Sequence, residues 1–143
     1  MIIYNPIIKL QEADKVENSR SEKFEQGLEV FQTMVSDIVS GSENMKRNYA
    51  EELGPMSIEN VFGGIWARPD LDKRSRSLVT LGILIALRAR GELKIHFKIA
   101  KKNGLTDKEI KEVIYHASAY AGFPAASSAS HIAAEAFGEE EKR

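Results

Sequence analysis

The chain has 143 residues, 43% of them hydrophobic and 29% charged, with 20 Lys+Arg against 21 Asp+Glu, a net charge of -1, and no cysteine. That length and balance suit one folded, soluble domain and argue against disorder. The lack of cysteine excludes disulfides, thiolate metal sites and any thiol nucleophile, and the balanced charge gives no pull toward nucleic acid or a membrane surface. The longest apolar run, Leu78 to Leu87, is too short to span a bilayer. The N-terminus lacks the charged-then-apolar layout of a signal peptide, so a cytoplasmic protein is the expectation.

The first 20 residues read as an arm, with Tyr4-Asn5-Pro6 extended or turned because Pro6 disfavours helix at Asn5. Phe24, Leu28, Phe31, Val35 and Ile38 then recur at spacings of four and three, which predicts an amphipathic helix over 21–40. Ser19 with Glu22 has capping-box spacing at its start, and Gly41 is a natural stop. A second helix is expected over 43–53, ending at Gly54-Pro55. A third runs from Ser57 as N-cap to about Ala67, because Pro69 forbids continuation. Gly63-Gly64 weakens that helix but lets another backbone or a ligand come close. Asp72 caps a helix over 73–90, apolar on nearly every face around Ile83, which calls for cover on all sides and suggests subunit contacts. Gly91 breaks before a helix from Glu92 to Asn103, in which Leu93, His96, Phe97 and Ala100 share a face. Thr106 and Glu109 form a capping box for a helix ending near Ala121-Gly122. Pro124 suits the first turn of a last helix that Gly138 ends, before a charged tail over 139–143. The expected fold is an all-α single domain of six to seven helices over 21–138.

Phosphate-cradling loops, His-Glu-x-x-His helices and calcium loops are absent, and His96, His116 and His131 form no local ligand pair, so no metal is expected. Glu92 and His96 lie four apart on one helix, where a carboxylate raises the pKa of an imidazole and orients it for proton transfer. The plainer account is a satisfied histidine beside a first-turn helix charge. Arg68, Lys73, Arg74, Arg76, Arg88 and Arg90 form the one basic concentration. Arg74 and Arg76 sit in a first helical turn, where the helix dipole disfavours cations by about 0.3–1 kcal/mol unless an anion or carboxylate answers them. Trp66 and Tyr120 can line a pocket or pack in the core, and His116 can stack on Tyr120.

The stretch from Gly64 to Leu81, including Trp66, Arg68-Pro69-Asp70, Asp72 and Arg76-Ser77-Leu78-Val79-Thr80, resembles the carboxymuconolactone decarboxylase family. Glu92-Leu93-Lys94-Ile95-His96, Asn103-Gly104-Leu105-Thr106, Glu109-Ile110-Lys111-Glu112-Val113 and Tyr120-Ala121-Gly122-Phe123-Pro124-Ala125-Ala126 agree in order and spacing. The resemblance covers about residues 22–137 and implies the alkyl hydroperoxide reductase D-like helical fold, assembled as homotrimers or homohexamers. The redox branch of that superfamily carries a Cys-x-x-Cys pair and a glutamate where this chain has Ala89, Glu92 and Ser77, so peroxidase activity is not expected. What the resemblance implies is cofactor-independent decarboxylation of 4-carboxymuconolactone to 3-oxoadipate enol-lactone, in aromatic catabolism by the protocatechuate branch of the β-ketoadipate pathway. His96, Glu92 and Arg76 would be catalytic, and Arg68, Arg74, Trp66 and Tyr120 would bind substrate. The rivals are action on a different small carboxylated ring, and a non-catalytic helical oligomer that binds a small ligand or a partner.

Overall fold

A computed structural model describes residues 21–39 and 49–138. The expected arm, the Ser19 cap, the Gly41 stop, most of the 43–53 helix and the tail lie outside the described residues. Among those described there are seven α-helices, one π-helical segment and no strand, so the class is all-α as expected. They fall into two compact units that divide between Asp70 and Leu71. No helix among the described residues is long and apolar enough to cross a membrane.

The first unit contains α1 (Glu22–Met34), α2 (Ser36–Val39), α3 (Leu53–Ser57) and the π-helical segment Ile58–Trp66. Ser21 caps α1: its hydroxyl oxygen accepts from the Phe24 N–H at 3.1 Å and its hydroxyl donates to the Glu59 carboxylate. The expected continuous helix over 21–40 is interrupted at Val35. Gly54-Pro55 opens a helix instead of closing one, because a proline in the first turn loses no hydrogen bond. Ser57 is correspondingly helical and makes no capping bond, so it does not start the third helix. The wide π turn is visible where the Ala67 N–H donates to the carbonyl of Phe62, five residues back, at 2.9 Å. Gly27 and Gly63 let α1 and the π segment meet backbone to backbone. A Cβ on Gly27 would collide with the Ile58 carbonyl, and one on Gly63 with the Lys23 carbonyl. Phe31 and Phe62 close this contact edge to face, 5.2 Å between centroids.

The second unit contains α4 (Lys73–Leu87), α5 (Arg90–Lys102), α6 (Asp107–Ala121) and α7 (Phe123–Gly138). Asp72 caps α4 as expected, accepting from the Ser75 N–H and hydroxyl, each at 2.8 Å. Arg88 ends α4 in the left-handed region, φ 55°. The turn therefore comes at Arg88-Ala89, ahead of the expected break, and Gly91 lies inside the first turn of α5. The Thr106–Glu109 capping box forms in both directions. Gly122, φ 89°, turns α6 into α7, and Pro124 is the second residue of α7. The core joins Leu81 and Ile85 of α4, Leu93 and Phe97 of α5, Ile110 and Ile114 of α6, and the alanine face of α7. Asn103, the C-cap of α5, donates to the Ser77 hydroxyl at 3.0 Å and ties the end of α5 to the start of α4. The opposite stripe of α4 is open, with Val79, Ile83 and Leu87 at 54%, 52% and 70% exposure.

Two glycine substitutions should therefore part company in urea denaturation. Gly27→Ala forces a backbone clash and should cost about 1–3 kcal/mol. Gly82→Ala, whose Cβ meets nothing within 4 Å, should gain about 0.5–1 kcal/mol from helix propensity. A Gly27→Ala protein as stable as the unaltered chain would contradict the close approach.

Candidate active site

Helix α5 carries Glu92 and His96, the pair that the sequence spacing points to. Leu93, Phe97 and Ala100 pack into the core, and the helix brings Glu92 and His96, one turn apart, to a neighbouring side. Glu92 is 6% exposed. Burial pushes its carboxyl above the usual carboxylate range, because a charged carboxylate loses its hydration there. His96 keeps some solvent access, yet burial lowers its imidazole to about 4. The expectation that Glu92 would raise the pKa of His96 is thus reversed. Loss of water disfavours charge on both groups, and it is the cause that sets the direction of the His96 shift. Near neutral pH His96 is an uncharged imidazole, able to donate one ring N–H and accept at the other nitrogen.

The arginines have separate fates. Arg74 pairs with Glu109, and both side chains remain about 40% exposed, Arg74 at 42%. Hydrogen bonds from the Thr106 backbone N–H and hydroxyl, and then from Arg74, hold the Glu109 carboxyl below its ordinary range. The unfavourable placing of Arg74 in a first helical turn is answered by that carboxylate, so its guanidinium is engaged before any ligand arrives. Arg76 turns back along the chain, and its Nε donates to the Leu71 carbonyl at 2.9 Å. Arg68 lies in the first unit, 3.9 Å from Asp70, with both side chains well exposed. Trp66 is in that unit too, 7% exposed at the end of the π segment, where it belongs to the core.

A cavity of about 720 Å³ opens between α4 and α6. Arg74, Leu78, Gly82 and Ala86 line it from α4, and Glu109, Glu112, His116 and Tyr120 from α6. It unites two of the expected binding residues, Arg74 and Tyr120, and leaves Glu92, His96 and Arg76 outside. His116 lies against Tyr120 with 4.9 Å between ring centroids and the ring planes tilted by 34°. Sequence reasoning anticipates that contact but not the cavity; the signal is the four-residue step from Glu112 to His116 to Tyr120. Among the described residues no three His, Asp or Glu side chains gather as metal ligands.

Comparison with known proteins agrees on the kind of protein this is. Residues 56–135 match the model of the carboxymuconolactone decarboxylase family. The chain is 36% identical over 118 residues to 4-carboxymuconolactone decarboxylase of Acinetobacter baylyi, covering 81% of this chain and 87% of that protein. It is 38% identical over 105 residues to nitrosuccinic acid decarboxylase of Metarhizium robertsii, covering 71% of each.

The burial of His96 has a sign that titration can read. An imidazole held at about 4, below its ordinary 6.5, stabilises the fold fully above pH 6.5, and that contribution is lost as pH falls toward 4. In an NMR titration the His96 ring signals should move with a midpoint near 4, and they should stay in the neutral position at pH 7. A midpoint at or above 6.5 would show that the ring is solvated.

Proposed function

The chain belongs to the carboxymuconolactone decarboxylase family and is a decarboxylase, and on that premise we propose that its substrate is 4-carboxymuconolactone or a closely related carboxylated lactone. The product is 3-oxoadipate enol-lactone, formed without an added cofactor. The observation that carries this choice of site is the Glu92–His96 pair on α5, two ionisable groups whose charge is suppressed by burial.

Decarboxylation sets three demands. The carbon–carboxylate bond breaks and leaves its electron pair on the substrate. That pair flows through the ring into the lactone carbonyl, whose oxygen takes on negative charge. A proton then joins carbon. Hydrogen-bond donors already in place serve the second demand, commonly the largest electrostatic contribution. His96, neutral, donates its ring N–H to the oxygen as charge develops there. Glu92, its pKa raised by burial, is the acid that gives a proton to carbon. Arg76 is the guanidinium for a substrate carboxylate. Arg74 is left out of that role, because it lines the α4–α6 cavity, whose walls do not include Glu92 or His96.

Nitrosuccinic acid, named for the second relative, meets the same demands with a nitro group as electron sink. We take the lactone first because the relative named for it matches along more of both chains. A homotrimer or homohexamer in the cytoplasm, serving the protocatechuate branch of the β-ketoadipate pathway, completes the proposal. The support for the oligomer is the apolar stripe of Val79, Ile83 and Leu87, left open on α4.

Purified protein should convert 4-carboxymuconolactone to the enol-lactone, measured as loss of substrate and release of carbon dioxide. His96→Ala and Glu92→Gln should each lower kcat by about 100-fold or more. No turnover at high enzyme concentration would remove the lactone assignment, and turnover of nitrosuccinate in its place would transfer it. A fully active His96→Ala enzyme would move the reaction away from α5.

A further inference from the structure

One wall of the α4–α6 cavity carries three hydrogen-bonding side chains that the proposed decarboxylation leaves unused. Glu112, His116 and Tyr120 recur at four-residue steps along α6, so they stand on one face of the helix, and all three line the cavity. Across from them, α4 presents Leu78, Gly82 and Ala86.

Gly82 shows that the space is not used by the chain itself. A Cβ there would meet nothing within 4 Å, so internal packing does not require glycine. Glycine inside a helix nevertheless costs about 0.5–1 kcal/mol against alanine. Its missing side chain leaves a flat floor on which a ring can lie. The volume, about 720 Å³, falls within the roughly 300–1,000 Å³ of small-molecule sites.

Charge selects the occupant. Arg74 and Glu109 neutralise each other at one end of the cavity, whereas Glu112 makes no ion pair among the described residues. The charge left over is negative. A dicarboxylate is therefore disfavoured here, and the lining does not include Glu92 or His96, the pair proposed for the decarboxylation. An uncharged ring bearing a hydroxyl fits: the hydroxyl donates to the Glu112 carboxylate, and the ring lies between Gly82 and the rings of His116 and Tyr120.

We propose that the cavity between α4 and α6 is a binding site for an uncharged phenol-type aromatic, held by Glu112, His116 and Tyr120 over the floor at Gly82. The site does not depend on which substrate the enzyme decarboxylates.

Calorimetry on the intact protein at neutral pH tests this with 2-naphthol and 2-naphthoate, rings of equal size that differ in charge. Naphthol should bind, and naphthoate should bind at least about tenfold more weakly. Gly82→Leu and Ala86→Leu, which fill the floor from open positions, should each weaken naphthol by about tenfold or more while leaving sedimentation mass unchanged, with Tm unchanged for Ala86→Leu and no lower for Gly82→Leu. Glu112→Gln should narrow the gap between the two probes. Four outcomes overturn the proposal: no binding of naphthol, naphthoate binding as tightly as naphthol, naphthol binding untouched by both leucine variants, or a change of sedimentation mass in either variant, which would give the groove to a second copy of the chain.

Discussion

The removal of Glu92 and His96 from water governs the chemistry of α5. Hydration stabilises a carboxylate or an imidazolium by far more than most contacts inside a protein, so burial moves both groups toward their neutral forms. The apolar packing of Leu93, Phe97 and Ala100 into the core fixes the orientation of the helix. The adjacent side, with its two ionisable groups, has no freedom to turn outward. Packing thereby shifts both groups toward their neutral forms, the condition that the proposed proton transfer draws on.

Helix α4 meets the opposite kind of demand. One stripe, Ser77, Leu81 and Ile85, is buried in the second unit. A second, Leu78, Gly82 and Ala86, lines the cavity, and a third, Val79, Ile83 and Leu87, is open. A helix apolar on every side is explained only if each stripe has its own surroundings. The bond from Asn103 to Ser77 and the pairing of Arg74 with Glu109 hold the first turns of α4 against the end of α5 and the start of α6. The rotation of α4, and with it the destination of each stripe, is set at that end.

Much of this is legible in the sequence where the cause is local. Asp72 and the Thr106–Glu109 box announce their helices because a cap needs only a short side chain and a nearby N–H. The first helix is evident from its spacing, but its cap is Ser21, which also reaches Glu59, 38 residues away in the chain. Gly54-Pro55 misleads because proline punctuates both ends of helices, and the choice between them depends on the residues beyond it. The π segment leaves no trace, since a five-residue hydrogen-bond step is not distinguishable from an α step by apolar spacing over nine residues. For the site, the Glu92–His96 spacing is legible and the direction of the pKa shift is not. Spacing reports which groups can meet; the loss of water around them is a product of tertiary packing. Arg74 in a first turn stands out as needing an answer, and the answer lies on another helix.

The π segment has a bearing on how this chain can change. An extra residue per turn carries Trp66 round to the core side, while Gly63 stays against α1. Removing a single residue within Ile58–Trp66 would take out the extra residue that the wide turn holds, and would shift Gly63 or Trp66 by one position, about 100° of an ordinary helix. Gly63 against α1 and Trp66 in the core could then not both keep their places. This stretch has room for side-chain replacement at its exposed positions, Asn60, Val61 and Ile65, but not at Gly63 and not for a change of length, so its residue count is a fixed quantity of the architecture, in the way a gear tolerates worn teeth but not a missing one.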